Sequence, residues 1–140
     1  MTTFPAHPFG TEITTADIID SMKSCRSWED KYRLIIQLGK RLPSLEESLK
    51  SKSIPVSGCE SNVWLIWKND NNSYQFAADS DARIVKGLLA LILAASEGKT
   101  QEELMAFNFE KYFEEMYLLD HLSPSRNNGI RAIIDQIKHI

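Results

Sequence analysis

"VWLIWKNDNNSYQFAADSDARIVKGLLALILAASEG", residues 63–98, passes from a continuous apolar run through a polar turn and a shorter alternating run into a helical period, and that succession decides the fold class. Val63 to Trp67 are all apolar, β-branched or aromatic. The run is too short for an independent helix and its residues suit a pleated surface, which predicts a strand. "KNDNNS" supplies turn chemistry. "YQFAA" follows as a second strand with Tyr74 and Phe76 on one face, giving a hairpin whose first strand is the more deeply buried. The remainder predicts a helix capped by Asp79 or Ser80, acidic at its start and stopped by Gly98. Its apolar faces make it central. Gly87 inside that helix costs about 1 kcal/mol relative to alanine, which predicts close packing of another segment there, the loop around Cys59 being one candidate.

Upstream of the hairpin, Thr14 or Thr15 caps a first helix through about Ser24, with Ile18, Ile19 and Met22 on one face. Ser27 caps a second, "WEDKYRLIIQLGK", where Trp28, Tyr32, Ile35, Ile36 and Leu38 recur near helical period and Gly39 and Pro43 end it. "LPSLEESLKSKSIP" is polar and broken by Pro43 and Pro55, and reads as a loop holding one helical turn. Downstream, Thr100 to Glu103 has the form of a reciprocal cap, and Phe109, Phe113, Met116 and Leu119 are placed to line one helical face. Ser123 followed by Pro124 opens a last helix with Ile130, Ile133, Ile134 and Ile137 as its stripe. Helices on both sides of a hairpin predict an α+β domain with a small antiparallel sheet, its third strand assigned to residues 45–57.

Length and charge narrow the function classes. A chain of 140 residues with 43% hydrophobic residues and net charge −3 is expected to form one domain over residues 1–140, with 1–13 as an N-terminal extension. The start "MTTFPAHPFG" lacks a basic leader and an apolar stretch, and no segment approaches the roughly 18 to 20 apolar residues of a membrane span, so a cytoplasmic protein is expected. The absence of a Lys/Arg cluster argues against nucleic acid, leaving proteins as partners. His7, His121 and His139 are scattered and no phosphate-cradling glycine loop occurs, so neither metal nor organic cofactor is expected.

Two cysteines remain, Cys25 and Cys59, better read in a reducing compartment as free thiols than as a disulfide. Cys25, at the end of an amphipathic helix, reads as a small buried hydrophobe. Cys59 differs because Pro55, Ser57 and Gly58 make the chain before it a loop, from which a thiol can be presented. It has no histidine or lysine beside it in sequence, and Glu60 would raise rather than lower its pKa, which counts against a hydrolytic cysteine enzyme. Arg126 lies in the first turn of the last helix, where the macrodipole disfavours a cation by about 0.3 to 1 kcal/mol. Asp79, Ser80 and Asp81 read most simply as helix-start residues.

Four blocks taken together, "SWEDKYRLIIQLGKRLP", "VSGCESNVWL", "DSDARIVKGLLALIL" and "HLSPSRNNGIRAI", resemble in order the signature blocks of the SufE family of sulfur acceptor proteins, and "HPFGTEITTADI" is similar to its CsdE branch. The resemblance implies a fold shared with iron–sulfur scaffold proteins of the IscU kind. It implies that Cys59 accepts sulfur from the persulfide of a pyridoxal-phosphate-dependent cysteine desulfurase of the CsdA/SufS type, that the protein stimulates this enzyme, and that the sulfur passes to an iron–sulfur scaffold or related acceptor. The cofactor belongs to the partner. Gly58 and Glu60 flank the thiol in the motif, and Asp81 and Arg126 match positions associated with the cysteine loop and the desulfurase contact. A loop that shelters Cys59 among apolar groups and presents it on docking is the expected mode of action. Two other readings stand beside the carrier: a regulatory module of a desulfurase that carries no sulfur, and an iron–sulfur scaffold, against which two distant cysteines count.

Overall fold

The computed structural model describes residues 5–51 and 62–140. In chain order these form α1 (Thr15–Ser24), α2 (Trp28–Lys40), α3 (Glu47–Lys50), β1 (Val63–Asp70), β2 (Ser73–Ser80), α4 (Arg83–Ser96), α5 (Gln101–Ala106), α6 (Phe109–Glu115), a 3₁₀ turn at Leu119–His121 and α7 (Pro124–Lys138). No described helix is long and apolar enough to cross a membrane.

Local signals account for most helix starts. Thr14 and Thr100 each accept from the amide three residues on, while Asp17 and Glu103 reach back to the cap backbone, and those bonds hold both carboxyls below their usual range. Ser27, Asn108 and Ser123 cap α2, α6 and α7 through their side chains. α4 departs from expectation: its N-cap is Ala82, with no side-chain bond, because Asp79 and Ser80 are the last residues of β2 and their side chains are engaged elsewhere. Gly98, at φ +75°, does follow the end of α4 as expected. α6 stops at Glu115 and Tyr117 turns the chain at φ +54°, so Leu119 falls in the 3₁₀ turn while Phe109, Phe113 and Met116 are buried as predicted. In α7, Ile130, Ile133 and Ile137 are buried and Ile134 packs partly buried against the core.

β1 and β2 pair antiparallel from Val63↔Ser80 to Asp70↔Ser73, joined by Asn71 and Asn72. Both asparagines have positive φ, 53° and 68°, the conformation a two-residue hairpin turn requires. One face of the hairpin carries Val63, Leu65, Phe76 and Ala78 into the main core against α4. The other carries Ile66 and Ala77, covered by Leu45 and Leu49 from the α3 region, with Trp64 at the margin and the Lys50 ammonium over its ring at 4.2 Å. Burial on both faces explains why Val63 to Trp67 is apolar throughout rather than alternating. It also corrects the third strand expected over residues 45–57: Leu45 to Lys50 lies across the sheet and forms a helical turn, residues 52–57 fall outside the described residues, and the sheet among the described residues has two strands. Along β2, the Tyr74 amide donates to Lys99, the Gly98 amide to Tyr74, and the Phe76 amide to Glu97 Oε1 at 2.7 Å. His7 completes this edge. Its Nδ1 accepts from the Phe9 amide, so Nε2 carries the proton toward the Phe76 carbonyl at 3.1 Å.

α4 lies at the centre, with nearly every residue buried. Its closest neighbour is α2, and the crossing is built on two glycines. A Cβ on Gly39 would lie 2.7 Å from the Gly87 nitrogen, and one on Gly87 would overlap the Ile35 carbonyl oxygen and Cγ2. Among the described residues the segment packed on Gly87 is therefore α2, the Cys59 loop lying outside them, and Gly39 is a packing residue within α2 rather than its terminator.

Candidate functional site

The three polar residues that end β2 and lead into α4 are hydrogen-bonded to two separate upstream segments of the chain. Asp79 is 4% exposed. Its Oδ2 accepts from the Leu45 amide at 3.0 Å, and its Oδ1 accepts from the Ser80 amide at 2.8 Å and pairs with Lys86 Nζ at 3.2 Å. Lys86, one turn into α4, also donates to Ser44 Oγ at 3.2 Å. Ser80 Oγ accepts from the Ala82 amide and donates to the Asn62 carbonyl at 2.7 Å. Asp81 is exposed and clamps Asn62 from the other side, accepting its backbone amide at 3.1 Å and its side-chain amide at 2.9 Å.

These contacts give the expected helix-start residues another task. Asp79 holds the chain before residue 46, and Ser80 and Asp81 hold it at residue 62, so the stretch between leaves and returns at one junction. Gly58, Cys59 and Glu60 belong to that stretch and lie outside the described residues, as does the loop mode of action expected for them. Cys59 stands three residues before Asn62. The sequence reading did not single out Asn62, Ser44 or Lys86. One signal was available: a helix start needs a single capping side chain, and "DSD" supplies three.

The remaining candidates are placed as follows. Arg126 is exposed on the first turn of α7, and its amide donates to Ser123 Oγ at 3.2 Å. Cys25 is half-buried, with its thiol donating to the Ser21 carbonyl at 3.4 Å. Desolvation, followed by the Asp30 carboxylate, pushes this thiol up, with Lys31 partly offsetting them, so Cys25 is a poor nucleophile. His121 stacks on Trp28 with centroids 4.9 Å apart, and His139 Nδ1 lies 2.7 Å from the Asp135 carbonyl. Among the described residues no three His, Cys, Asp or Glu side chains converge on a common metal position.

Known proteins resemble the chain along nearly all of its length. The SufE family model, described as an Fe-S metabolism associated domain, matches residues 16–140. The chain is 43% identical over 135 residues to the sulfur acceptor protein CsdE of Escherichia coli (strain K12), covering 96% of this chain and 92% of that protein. Among solved structures, the solution structure of a hypothetical protein from Thermus thermophilus superposes with a TM-score of 0.73 at 14% identity, over 91% of this chain and 92% of that one. At that identity the likeness is one of fold, and the shared fold is the α+β arrangement described above.

Proposed function

The chain belongs to the SufE family, and from that premise we propose that it is a sulfur acceptor which takes persulfide sulfur onto Cys59 from a cysteine desulfurase. The desulfurase is of the pyridoxal-phosphate-dependent CsdA/SufS type, its activity is stimulated by the acceptor, and the sulfur moves on to an iron–sulfur assembly scaffold or a related acceptor. The observation that supports the reading is the placement of Cys25, whose thiol donates to the Ser21 carbonyl and is raised in pKa, together with the position of Cys59 in the block that resembles a signature of sulfur acceptors. We place the reaction in the cytoplasm, where reducing conditions keep both thiols free.

The step is an exchange at sulfur. The Cys59 thiolate attacks the terminal sulfur of the donor's persulfide, a new S–S bond forms to Cys59 as the donor's S–S bond breaks, and the donor cysteine departs as thiolate. The proton stays on the transferred sulfur and nothing is oxidised or reduced overall. An acceptor in such a step needs no general base of its own, which accords with the lack of a histidine beside Cys59 in the sequence. Protein incubated with a desulfurase and cysteine should gain the mass of one sulfur atom, lost again on reduction. Stimulation of the desulfurase with no mass gain would make the protein a regulator instead.

Gly58 and Glu60 flank the thiol in the contact with the donor, while Asp81 and Arg126 serve it from outside the loop. Asp81 acts through Asn62, and Arg126 offers an exposed guanidinium for charge-assisted bonds to the partner. Replacing Asp81 with arginine removes both bonds to Asn62. Since bonds to a charged acceptor contribute about 1.5 kcal/mol or more, alkylation of Cys59 by iodoacetamide should quicken roughly tenfold in the free protein. Arg126→Ala should leave that rate alone and weaken desulfurase binding. Equal alkylation in wild type and Asp81→Arg would remove Asp81 from the site.

A further inference from the structure

We propose that Tyr117 and the aromatic side chains beside it, Trp28, Tyr32 and His121, form a docking surface for the desulfurase, receiving a cationic side chain of that enzyme. This docking role rests on the reading of the chain as a sulfur acceptor served by a desulfurase.

Tyr117 breaks a local rule where that rule is strong. The Tyr117 amide donates to the Glu114 carbonyl at 2.9 Å and the Leu118 amide to the Phe113 carbonyl at 3.4 Å, the paired bonds that close a helix through one left-handed residue, ordinarily glycine. The other non-glycine residues at positive φ among those described are Asn71 and Asn72, whose short polar side chains suit that region. A tyrosine there is strained. Its ring returns little to the fold. Tyr117 is 68% exposed, and the Lys31 ammonium, 5.3 Å from the ring centre, is already held by the Met116 carbonyl at 2.9 Å. An exposed cation–π contact contributes less than such strain costs, so folding alone does not account for the side chain.

The ring does not stand alone. Lys31 joins Tyr117 to α2, where Trp28 stacks on His121 with centroids 4.9 Å apart and meets Tyr32 edge-on at 6.1 Å. Tyr32 is 39% exposed, and His121 is exposed as well. Tyrosine and tryptophan are the side chains that protein interfaces concentrate, because they cover a large area at a small cost in rotamer freedom. Charge selects the partner's chemistry. Aromatic faces attract cations, and the exposed carboxylates of Glu29, next to Trp28, and Asp120, next to His121, add to that attraction. The same carboxylates would oppose each other across an interface between two copies of the chain. The surface is also continuous with Arg126, the contact already proposed for the desulfurase. The Asn127 side-chain amide donates to the Leu119 carbonyl at 3.2 Å, which ties the turn after Tyr117 to the first turn of α7 and makes ring and guanidinium parts of one connected segment.

The test uses Tyr117→Gly, which removes the ring and relieves the backbone, beside Tyr117→Phe, which keeps the ring. Persulfide-loaded desulfurase is mixed with each protein over a concentration series, and single-turnover loading is followed by intact mass. Tyr117→Gly should raise the half-saturating concentration about tenfold with the saturating rate unchanged, while its melting temperature stays level or rises. Tyr117→Phe should load as wild type does, and Asp120→Lys should raise the half-saturating concentration in the same direction as Tyr117→Gly. A glycine variant that loads like wild type, one that melts lower, or one whose loss lies in the saturating rate would overturn the inference, as would a phenylalanine variant impaired as much as the glycine one. A wild-type dimer that Tyr117→Gly returns to a monomer would give the surface to a second copy and overturn the desulfurase as its occupant. None of these outcomes touches Cys59 as acceptor. Failure of wild type to load, or loading that survives Cys59→Ser, would instead overturn the underlying reading, and the docking role with it.

Discussion

Cys59→Ser protein, incubated with a cysteine desulfurase and cysteine, is expected to keep its original mass while wild type gains a sulfur atom. Oxygen replaces sulfur at nearly constant volume, so the melting temperature should hardly change, but a hydroxyl is neither ionised near neutral pH nor able to form the S–S bond by which the sulfur is carried. Stimulation of the desulfurase should vanish along with loading, because an acceptor that cannot take the sulfur cannot clear the donor cysteine. Cys25→Ser is the control. Its thiol is spent on the Ser21 carbonyl and raised in pKa by desolvation, so its loss should leave loading at the wild-type level. Sulfur found on the Cys59→Ser protein, or lost from Cys25→Ser, would reverse the assignment of the two cysteines.

Gly87→Ala is expected to destabilise the domain by about 3 kcal/mol, at the upper end of what overpacking a core costs. Two effects oppose each other. Alanine in place of glycine within a helix contributes about 1 kcal/mol through propensity. Against this, the new methyl group would overlap the Ile35 carbonyl oxygen and Cγ2 and lie 2.7 Å from the Ile35 carbonyl carbon. Backbone cannot swing aside as a long side chain can, so α2 and α4 must part along their length, loosening Ile35, which has no exposed surface. The overlap wins. Denaturant titration should show the loss, and thermal melting a fall on the order of 10 °C for a domain of this size. Gly39→Ala, whose methyl group would meet the Gly87 nitrogen at 2.7 Å and its Cα at 2.9 Å, should act in the same direction. A Gly87→Ala protein that melts with wild type would mean that the helices do not approach at this crossing.

Features governed by neighbours along the chain were legible before any tertiary contact was known. Thr14, Ser27, Thr100 and Ser123 announce their helices because a cap is a bond across two or three residues. The hairpin was legible because a polar, asparagine-rich turn separates two runs of strand formers. Gly87 was legible as a point of close approach because a glycine in so apolar a helix is costly. Which segment approaches it was a tertiary matter, since Ile35 stands far upstream and no local pattern pairs the two helices. The same holds for "DSD". Read locally, three polar residues before an apolar helix are caps; in the fold Asp79 reaches Leu45, 34 residues back, and Asp81 reaches Asn62, 19 back. Residues 45–50 likewise read as chain free to join the sheet edge, whereas the sheet's second face had apolar side chains to cover and drew Leu45 and Leu49 across it. Periodicity reports which side of an element is apolar. Only the folded chain decides what covers it, because that choice depends on burial and hydrogen bonding summed over segments distant in sequence.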